Sequence, residues 1–460
     1  MQNLWSHTGR GIAVSALALA LTACQSMRGP EPVAQASIPS SYTAAASGTS
    51  VAEQGYKDFF ADQRLLQVLD MALNNNRDLR TATLNIQRAQ QAYQITENNQ
   101  LPTIGASGGV LRQDQGTALG THTRYNVGLG VTAYELDFWG RVRSLKDNAL
   151  DNFLATQSSR DATQIALIGQ VAQAWLNYSF ANANLKLADQ TLKTQLESYN
   201  LNKKRFDVGI DSELPVRQAQ ISVETARNDV ANYKTQVAQA QNLLNLLVGE
   251  QVPSALLPTQ RVTHITKTTA IGAGLPSDLL NNRPDIRTAE YRLSAAGANI
   301  GAAKARLFPS ISLTGNAGYA STDLSDLFKS GSFVWAVGPS IDLPIFDWGT
   351  RQANIKISET DQQIALADYE KSIQSAFREV NDALAVRQNI GDRLAAQKRL
   401  VDATNTTYKL SNARFRAGID NYLTVLDAQR TSYAAEQGLL LLEQANLNNQ
   451  VELYKSLGGG

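Results

Sequence analysis

The sequence predicts a mixed α and β membrane protein in which long antiparallel coiled-coil helices and short β-hairpins occur twice. Three observations predict it: motifs that return after 206 to 209 residues, two very long proline-free stretches with a seven-residue apolar period, and two pairs of strand-like runs of about ten residues. The 460-residue chain has a formal net charge of +1, which excludes the basic field that nucleic-acid binding needs.

The duplication is carried by four matched motifs. Asn75–Ala82 returns as Asn281–Ala289, Leu101–Ile104 as Phe308–Ile311, Trp139–Arg141 as Trp348–Arg351, and Arg205–Asp211 as Arg414–Asp420. Chance similarity between alanine-rich helices would not keep this register, so the chain is one unit copied in tandem. We predict a first repeat at residues 61–249, an equatorial polar linker at 250–275 and a second repeat at 276–460.

Each repeat is predicted to contain the same four parts. The first helices are Asp78–Gln100 and Asp285–Leu307; the strand pairs are Thr103–Arg112 with Thr123–Leu136, and Ser310–Ser321 with Ser332–Leu343; the long helices are Arg143–Phe206 and Arg351–Phe415; the return helices are Ser212–Leu247 and Asn421–Leu457. Pro102 and Pro309 end the first helices, and Gly209 and Gly418 mark the reversals between the long and return helices.

The long helices carry the coiled-coil signal. Apolar residues recur every seven positions at Val171, Tyr178, Leu185, Leu192 and Tyr199. The second repeat shows the same period at Val380, Leu394, Val401 and Tyr408, interrupted by Arg387. At a rise of about 1.5 Å per residue, each helix would be about 95 Å long.

The strand pairs carry aromatic residues at their ends. If the strands cross a membrane, these residues form an interfacial girdle, with the members Tyr125, Trp139, Phe333, Trp335 and Trp348. A soluble hairpin with aromatic core residues stays open as an alternative, because the strand signal of a single segment is weak.

The N-terminus predicts a signal peptide at residues 1–23. Arg10 precedes an apolar run from Ile12 to Leu21, which is too short to span a bilayer as a helix but suits a signal peptide. The run ends in Leu21-Thr22-Ala23-Cys24, which resembles the lipobox of bacterial lipoproteins, and Cys24 is the only cysteine. Its position favours lipidation of Cys24 over an incidental thiol, and residues 24–60 are then a lipidated N-terminal linker.

The number of chains in the predicted assembly follows from the need to pair every strand edge. Lipid does not tolerate open strand edges, so the two strand pairs of one chain cannot cross a membrane alone. Two chains would supply eight strands, whose interior side chains fill, whereas three chains would supply twelve and leave room for a lumen. If the strands conduct solutes across a membrane, the smallest sufficient assembly is therefore a homotrimer.

Several motifs together resemble the TolC/OprM outer-membrane factor family, in the lipoprotein branch that serves tripartite, RND-type multidrug efflux systems. They are the lipobox, the tandem halves, the Arg-Phe-x-x-Gly-Ile-Asp turns at 205–211 and 414–420, the stretch 420–430 and the ending 453–460. The resemblance covers nearly the whole chain. It implies a homotrimer in outer-membrane lipid, with a twelve-stranded transmembrane β-barrel and a periplasmic α-barrel formed by the long helices.

The resemblance also implies partners and a function. It implies a periplasmic membrane-fusion adaptor, an inner-membrane RND-type transporter, no cofactor, and passive conduction of drugs and other small toxic compounds through a duct gated at its periplasmic end. Metal ions and secreted proteins stay open as other cargoes, because the inner-membrane partner selects the cargo.

The resemblance places the periplasmic gate at Leu423, Asp427 and Arg430. Three copies of Leu423 would form an apolar plug, and three copies of Asp427 a negatively charged ring. An ordinary surface pair three residues apart is the alternative for Asp427 and Arg430. The first repeat has Gln218 and Ile221 at the equivalent positions, so the charged pair belongs to one repeat only.

The two turns are predicted to present aliphatic tips to the adaptor; their residues are Val208, Gly209 and Ile210, and Ala417, Gly418 and Ile419. A helix C-cap with a hydrophobic contact is the simpler interpretation, and both can hold together. Where some relatives carry tyrosine at the tip, this chain has Phe415, so a gate bond through that hydroxyl cannot form.

Two other classes of protein compete with the channel. An enzyme is disfavoured because the chain has only three histidines, far apart in sequence, and no metal-binding spacing, nucleophile motif or phosphate-binding loop. A non-conducting periplasmic coiled-coil lipoprotein would explain the helices but not the strand pairs with aromatic ends.

Overall fold

The structure, a computed structural model, describes residues 27–35, 42, 49–50, 54–114, 120–267, 271–272 and 278–459. The strands are β1 (Thr49–Ser50), β2 (Ile104–Asp114), β3 (Thr121–Glu135), β4 (Ile271–Gly272), β5 (Ser310–Ser321) and β6 (Phe333–Asp342). The α-helices are α1 (Tyr56–Phe59), α2 (Gln63–Asn75), α3 (Arg77–Asn98), α4 (Arg141–Asp207), α5 (Glu213–Val248), α6 (Asp278–Asn282), α7 (Pro284–Ala305), α8 (Thr350–Arg416) and α9 (Tyr422–Ser456).

The predicted helices and strands lie within two residues of the observed ones, and the short elements α1, α6, β1 and β4 were not predicted. Helix α2 was not predicted either. Asp62 caps it by accepting from the backbone N–H groups of Arg64 and Leu65, and its apolar face is buried. The cap followed by Leu65, Leu66 and Leu69 was the available sequence signal.

The described residues form two compact units, each of which takes segments from both halves of the chain. The first contains Asn85–Gln157, Thr288–Glu370 and the described residues up to Gln35. The second contains Ser158–Arg287, the described residues between 42 and Leu84, and those from Lys371 onwards.

The first unit contains an antiparallel sheet with the strand order β2-β3-β5-β6. The two hairpins of the duplication thus join through β3 and β5, with Gly128 opposite Gly318 at the centre of the shared register. A Cβ added at Gly318 would lie 2.2 Å from the carbonyl oxygen of Val127, so these strands approach closely only because both positions are glycine.

The second unit has its aromatic core around Tyr454, which stacks on Phe59 with ring centroids 4.4 Å apart. Trp175 of α4 is fully buried, and its indole N–H donates to the carbonyl oxygen of Leu256 at 3.0 Å. The described residues 250–267 of the segment predicted to be a polar linker therefore contribute to this core. Their buried apolar side chains are Val252, Leu257, Val262 and Ile265.

Within the part of the chain that the structure describes, no helix is both long and apolar enough for a bilayer span.

Candidate functional site

The sheet of the first unit has one apolar and one polar face. Side chains alternate along each strand, and antiparallel partners share a face, so the register assigns the residues to a face except at the irregularity between Val131 and Tyr134. Over most of its length the apolar sheet face contains Ile104, Ala106, Gly108, Val110, Tyr125, Val127, Leu129, Val131, Ile311, Leu313, Gly315, Ala317, Tyr319, Phe333, Trp335, Val337, Pro339 and Ile341. At the end where β5 is connected to β6, the same face also contains the polar residues Arg112, Asp114, Thr121, Thr123 and Ser321. The polar sheet face contains mainly Gly, Ser, Thr, Asn and Ala, and Ser312 and Ser340 hydrogen-bond across it at 2.7 Å.

The apolar sheet face is exposed in the isolated chain. Val337 is 63% exposed and Ile341 69% exposed, in the middle and at the end of β6. A contiguous apolar surface of this kind marks contact with lipid or with another protein. In the described part of the chain, β2 pairs only with β3 and β6 only with β5, so each outer strand has one unpaired backbone edge.

The predicted girdle residues divide between the two ends of the sheet. Tyr125, Phe333 and Trp335 lie towards the end where residues 322–332 connect β5 to β6. Trp139 and Trp348 follow β3 and β6 at the opposite end. The Trp139 indole N–H donates to the carbonyl oxygen of Pro309 at 2.8 Å, whereas Trp348 is 88% exposed.

In the second unit, the two hairpin turns have the same backbone geometry. Gly209 has a φ of 76° and Gly418 a φ of 75°, the left-handed conformation that ends a helix. The N–H of Ile210 donates to the carbonyl oxygen of Arg205, and the N–H of Ile419 to that of Arg414, each at 2.9 Å. The C-cap interpretation therefore holds at both turns.

The aliphatic side chains of the turns are exposed despite this cap. Val208 is 68%, Ile210 67% and Ile419 63% exposed, so they do not make the apolar contact that often accompanies such a cap. Each turn thus presents an apolar surface to solvent in the isolated chain.

An arginine and an aspartate close each turn, a feature that we call the tip staple. Arg205 Nε lies 2.7 Å from Asp211 Oδ2, and Arg414 contacts both carboxylate oxygens of Asp420 at 2.6 and 2.9 Å. This role was not predicted from the sequence, although both residues recur in the two copies of the turn motif. These charge-assisted hydrogen bonds, bidentate only at Arg414, fix the chain across each reversal.

The second tip staple gives a pH prediction. The hydrogen bond from Arg414 lowers the pKa of Asp420, so the folded state favours the carboxylate. Its contribution is therefore present above the unfolded-state pKa of about 3.9 and is lost as the pH falls through the lower folded value. We expect the protection factor of the Ile419 amide to hold from pH 7 to about 4 and then to fall. In Asp420→Asn that amide should be less protected from pH 7 to about 4 and show no such step, so that the two proteins converge at lower pH; an identical profile in both proteins would contradict the role.

The three predicted gate residues lie together on one exposed face of α9. Leu423, Asp427 and Arg430 are spaced by four and three residues and are all exposed. The opposite face buries Tyr422, Val425, Leu426 and Gln429. Among the ion pairs of the described residues, none joins Asp427 to Arg430. The alternative that Asp427 and Arg430 form an ordinary surface ion pair is therefore not supported by a contact between them.

Behind this face lies a small cluster around Phe415. It contains Ala219, Phe415, Tyr422, Val425 and Leu426. The guanidinium of Arg205 lies 5.1 Å from the ring centre of Phe415, which is a cation–π contact. Phe415 lacks the hydroxyl of a tyrosine, and this contact is made with its ring face. Burial raises the pKa of the Tyr422 phenol to about 12.

The remaining sequence predictions concern the N-terminus and metal binding. The signal peptide and the lipidation site Cys24 lie outside the described residues. No group of three or more His, Cys, Asp or Glu residues suited to a metal ion occurs in the described part of the chain.

Comparison with known proteins identifies similar chains. The family model described as "Outer membrane efflux protein" matches residues 68–250 and 275–459. The chain is 44% identical to the probable efflux pump outer membrane protein TtgC of Pseudomonas putida, over 89% of this chain and 86% of that protein. It is 38% identical to the cation efflux system protein CusC of Escherichia coli O157:H7, over 96% and 97% of the two chains.

A solved structure shows the same fold. The open state of the Neisseria gonorrhoeae MtrE outer membrane channel is similar with a TM-score of 0.87 and 38% identity, over 95% of this chain and 98% of that one.

Proposed function

Because the chain belongs to the outer membrane efflux protein family, it is an outer-membrane protein, and we propose that it is the gated exit duct of a tripartite efflux pump. Membership confirms the resemblance predicted from the sequence motifs. The family is one of outer-membrane channels, which agrees with a protein that is not an enzyme.

The observation that carries the duct proposal is the two-faced sheet with open edges. In lipid, each unpaired edge must find a partner strand, so the sheet closes only by joining sheets of other copies. Three copies supply twelve strands, with the apolar sheet face towards lipid and the polar sheet face towards a water-filled lumen. The exposed Val337 and Ile341 suit lipid contact, and Ser312, Asn316 and Ser340 suit a wet interior.

A pair of arginine substitutions on neighbouring residues of β6 tests this proposal. An arginine on the lipid face near the bilayer midplane costs about 2–4 kcal/mol, whereas one in a wet lumen keeps its hydration. We expect Val337→Arg to lower strongly the amount of folded trimer in the outer membrane, measured as a heat-dissociable band. Ala336→Arg, one residue away on the polar sheet face, is the matched control and should assemble normally.

Two results would contradict the proposal. Equal assembly of both variants would remove the distinction between a lipid face and a lumen face. A purified native protein that is a monomer and leaves planar bilayers without conductance would exclude the duct itself.

The assembly is proposed to include two partners. The exposed aliphatic turns suit docking to a periplasmic membrane-fusion adaptor, which connects the duct to an inner-membrane RND-type transporter. Cys24 is proposed to carry the lipid anchor, which mass spectrometry of the mature N-terminus would identify.

The proposed cargo is drugs and other small toxic compounds. Relatives at 44–45% identity are named as antibiotic and toluene efflux pump proteins, whereas the relative named for cation efflux is 38% identical. The susceptibility of a deletion strain to antibiotics, solvents and metal salts distinguishes these cargoes.

A further inference from the structure

One contact at the hairpin tips joins the two repeats of the chain. Arg205, near the end of α4, places its guanidinium 5.1 Å from the ring centre of Phe415 near the end of α8. Leu201, one turn earlier on α4, packs against the cluster around Phe415, whose members other than Ala219 belong to the second repeat. The first repeat therefore covers Phe415, which is only 4% exposed.

Each residue of this contact has an equivalent in the other repeat, 209 positions away. Arg205 corresponds to Arg414, Phe415 to Phe206, and Leu201 to Leu410, and the residue types are identical. The equivalents are uncovered: Phe206 is 41% and Leu410 61% exposed, and the Arg414 side chain is 55% exposed against 26% for Arg205.

Folding of the hairpins themselves does not explain this difference. Both turns have the same backbone geometry and the same tip staple. The inward-facing residues are also buried in both repeats, as the pairs Val216 and Val425 and Ala219 and Ala428 illustrate. What differs is the neighbour: at the tips the first repeat lies against the second, whereas none of the residues that the structure describes lies against the equivalent side of the first.

We propose that a second copy of this chain supplies the missing neighbour, with Arg414 and Leu410 of one copy covering Phe206 of the next. The contact inside the chain is the template, because the same three residue types are available in the same turn geometry on both sides. Arg414 would act as Arg205 does: it would keep its ion pair with Asp420 of its own copy, and its guanidinium would cover the Phe206 ring of the next copy.

This interface is head-to-tail, since the surface on one copy differs from the surface it meets. Such contacts form a closed ring when a whole number of copies completes one full rotation. The inference rests on the proposed homo-oligomer and adds the order of its subunits and the contacting residues.

Crosslinking of full-length protein in outer membranes tests the proposal. We would use a flexible bismaleimide rather than a disulfide, because an arginine side chain separates the two backbones too far for a disulfide. Phe206→Cys/Arg414→Cys should give covalent dimers and trimers on denaturing gels. The matched control Arg205→Cys/Phe415→Cys should crosslink within one chain and stay at monomer mass. Phe206→Cys/Leu410→Cys is a second pair for the intermolecular contact, and the single-cysteine variants exclude linkage through Cys24.

The interpretation of the test does not depend on conduction. Covalent dimers and trimers from the Phe206 pairs, together with a control that stays at monomer mass, support the interface. They do so even if the protein shows no conductance in planar bilayers and the proposed duct is excluded. Conductance from heat-dissociable trimers in which neither Phe206 pair gives a ladder overturns the interface and leaves the duct intact. Ready labelling of the Phe206→Cys single variant by a bulky maleimide in assembled trimers also overturns it, because that side chain would then be free.

Discussion

Replacement of both Leu423 and Asp427 by alanine is expected to raise the conductance of reconstituted trimers several-fold and to sensitise cells to large antibiotics. Both side chains are exposed on one face of α9 in the isolated chain, so their removal takes nothing from the buried face of Tyr422, Val425 and Leu426. In the proposed trimer, three Leu423 side chains narrow the periplasmic end, and three Asp427 carboxylates attract cations while repelling each other. Alanine at both positions widens the opening and discharges it.

Controls on the same protein separate the two contributions. Asp427→Asn keeps the shape and removes the charge, so it should reduce the preference for cations with little change in the leak. The equivalent pair of the first repeat, Leu214 and Gln218, has the exposed leucine but no acid. Leu214→Ala/Gln218→Ala should therefore leave ion preference unchanged. An unaltered leak in Leu423→Ala/Asp427→Ala, measured in planar bilayers, would remove these residues from the gate.

Local chemistry explains why most element boundaries could be predicted from the sequence. A proline lies four residues after the end of α3 and of α7, and a glycine stands at each chain reversal, at positions 209 and 418. The tandem motifs then allow each boundary in one repeat to be checked against the other. Helix α2 was missed because it has no matched motif and ends against the start of α3 with only Asn76 between them.

The features that depend on distant contacts could not be predicted in this way. The two faces of the sheet require the register between β3 and β5, and partial alternation within single strands does not give it. The linker showed no clear apolar period, yet Val262 and Ile265 are buried. Arg205 and Phe415 are 210 residues apart, and no local rule joins them. The shared exposed face of Leu423, Asp427 and Arg430, in contrast, follows from their spacing of four and three residues along one helix.

Replacement of Gly209 or Gly418 by aspartate is expected to abolish efflux while leaving assembled trimers in the outer membrane. A Cβ at either glycine meets nothing within 4 Å, so the substitution meets no steric barrier. The left-handed backbone costs a residue with a Cβ about 1–2 kcal/mol, and aspartate tolerates this conformation better than most. The fold should therefore survive. The new carboxylate lies between exposed Val208 and Ile210, or beside Ile419, and places a charge on the apolar surface proposed to dock the adaptor.

Asparagine at the same positions separates charge from backbone strain, because it has nearly the same shape and the same tolerance of a positive φ. Gly209→Asn and Gly418→Asn should assemble like the aspartate variants but keep most drug resistance, and crosslinking to the adaptor should persist in them and disappear in the aspartate variants. If the asparagine variants lose efflux as well, backbone geometry rather than the apolar surface is the property that matters. Full resistance in the aspartate variants would exclude the tips from docking altogether, since a buried unpaired charge at each hairpin end is incompatible with a dry contact there.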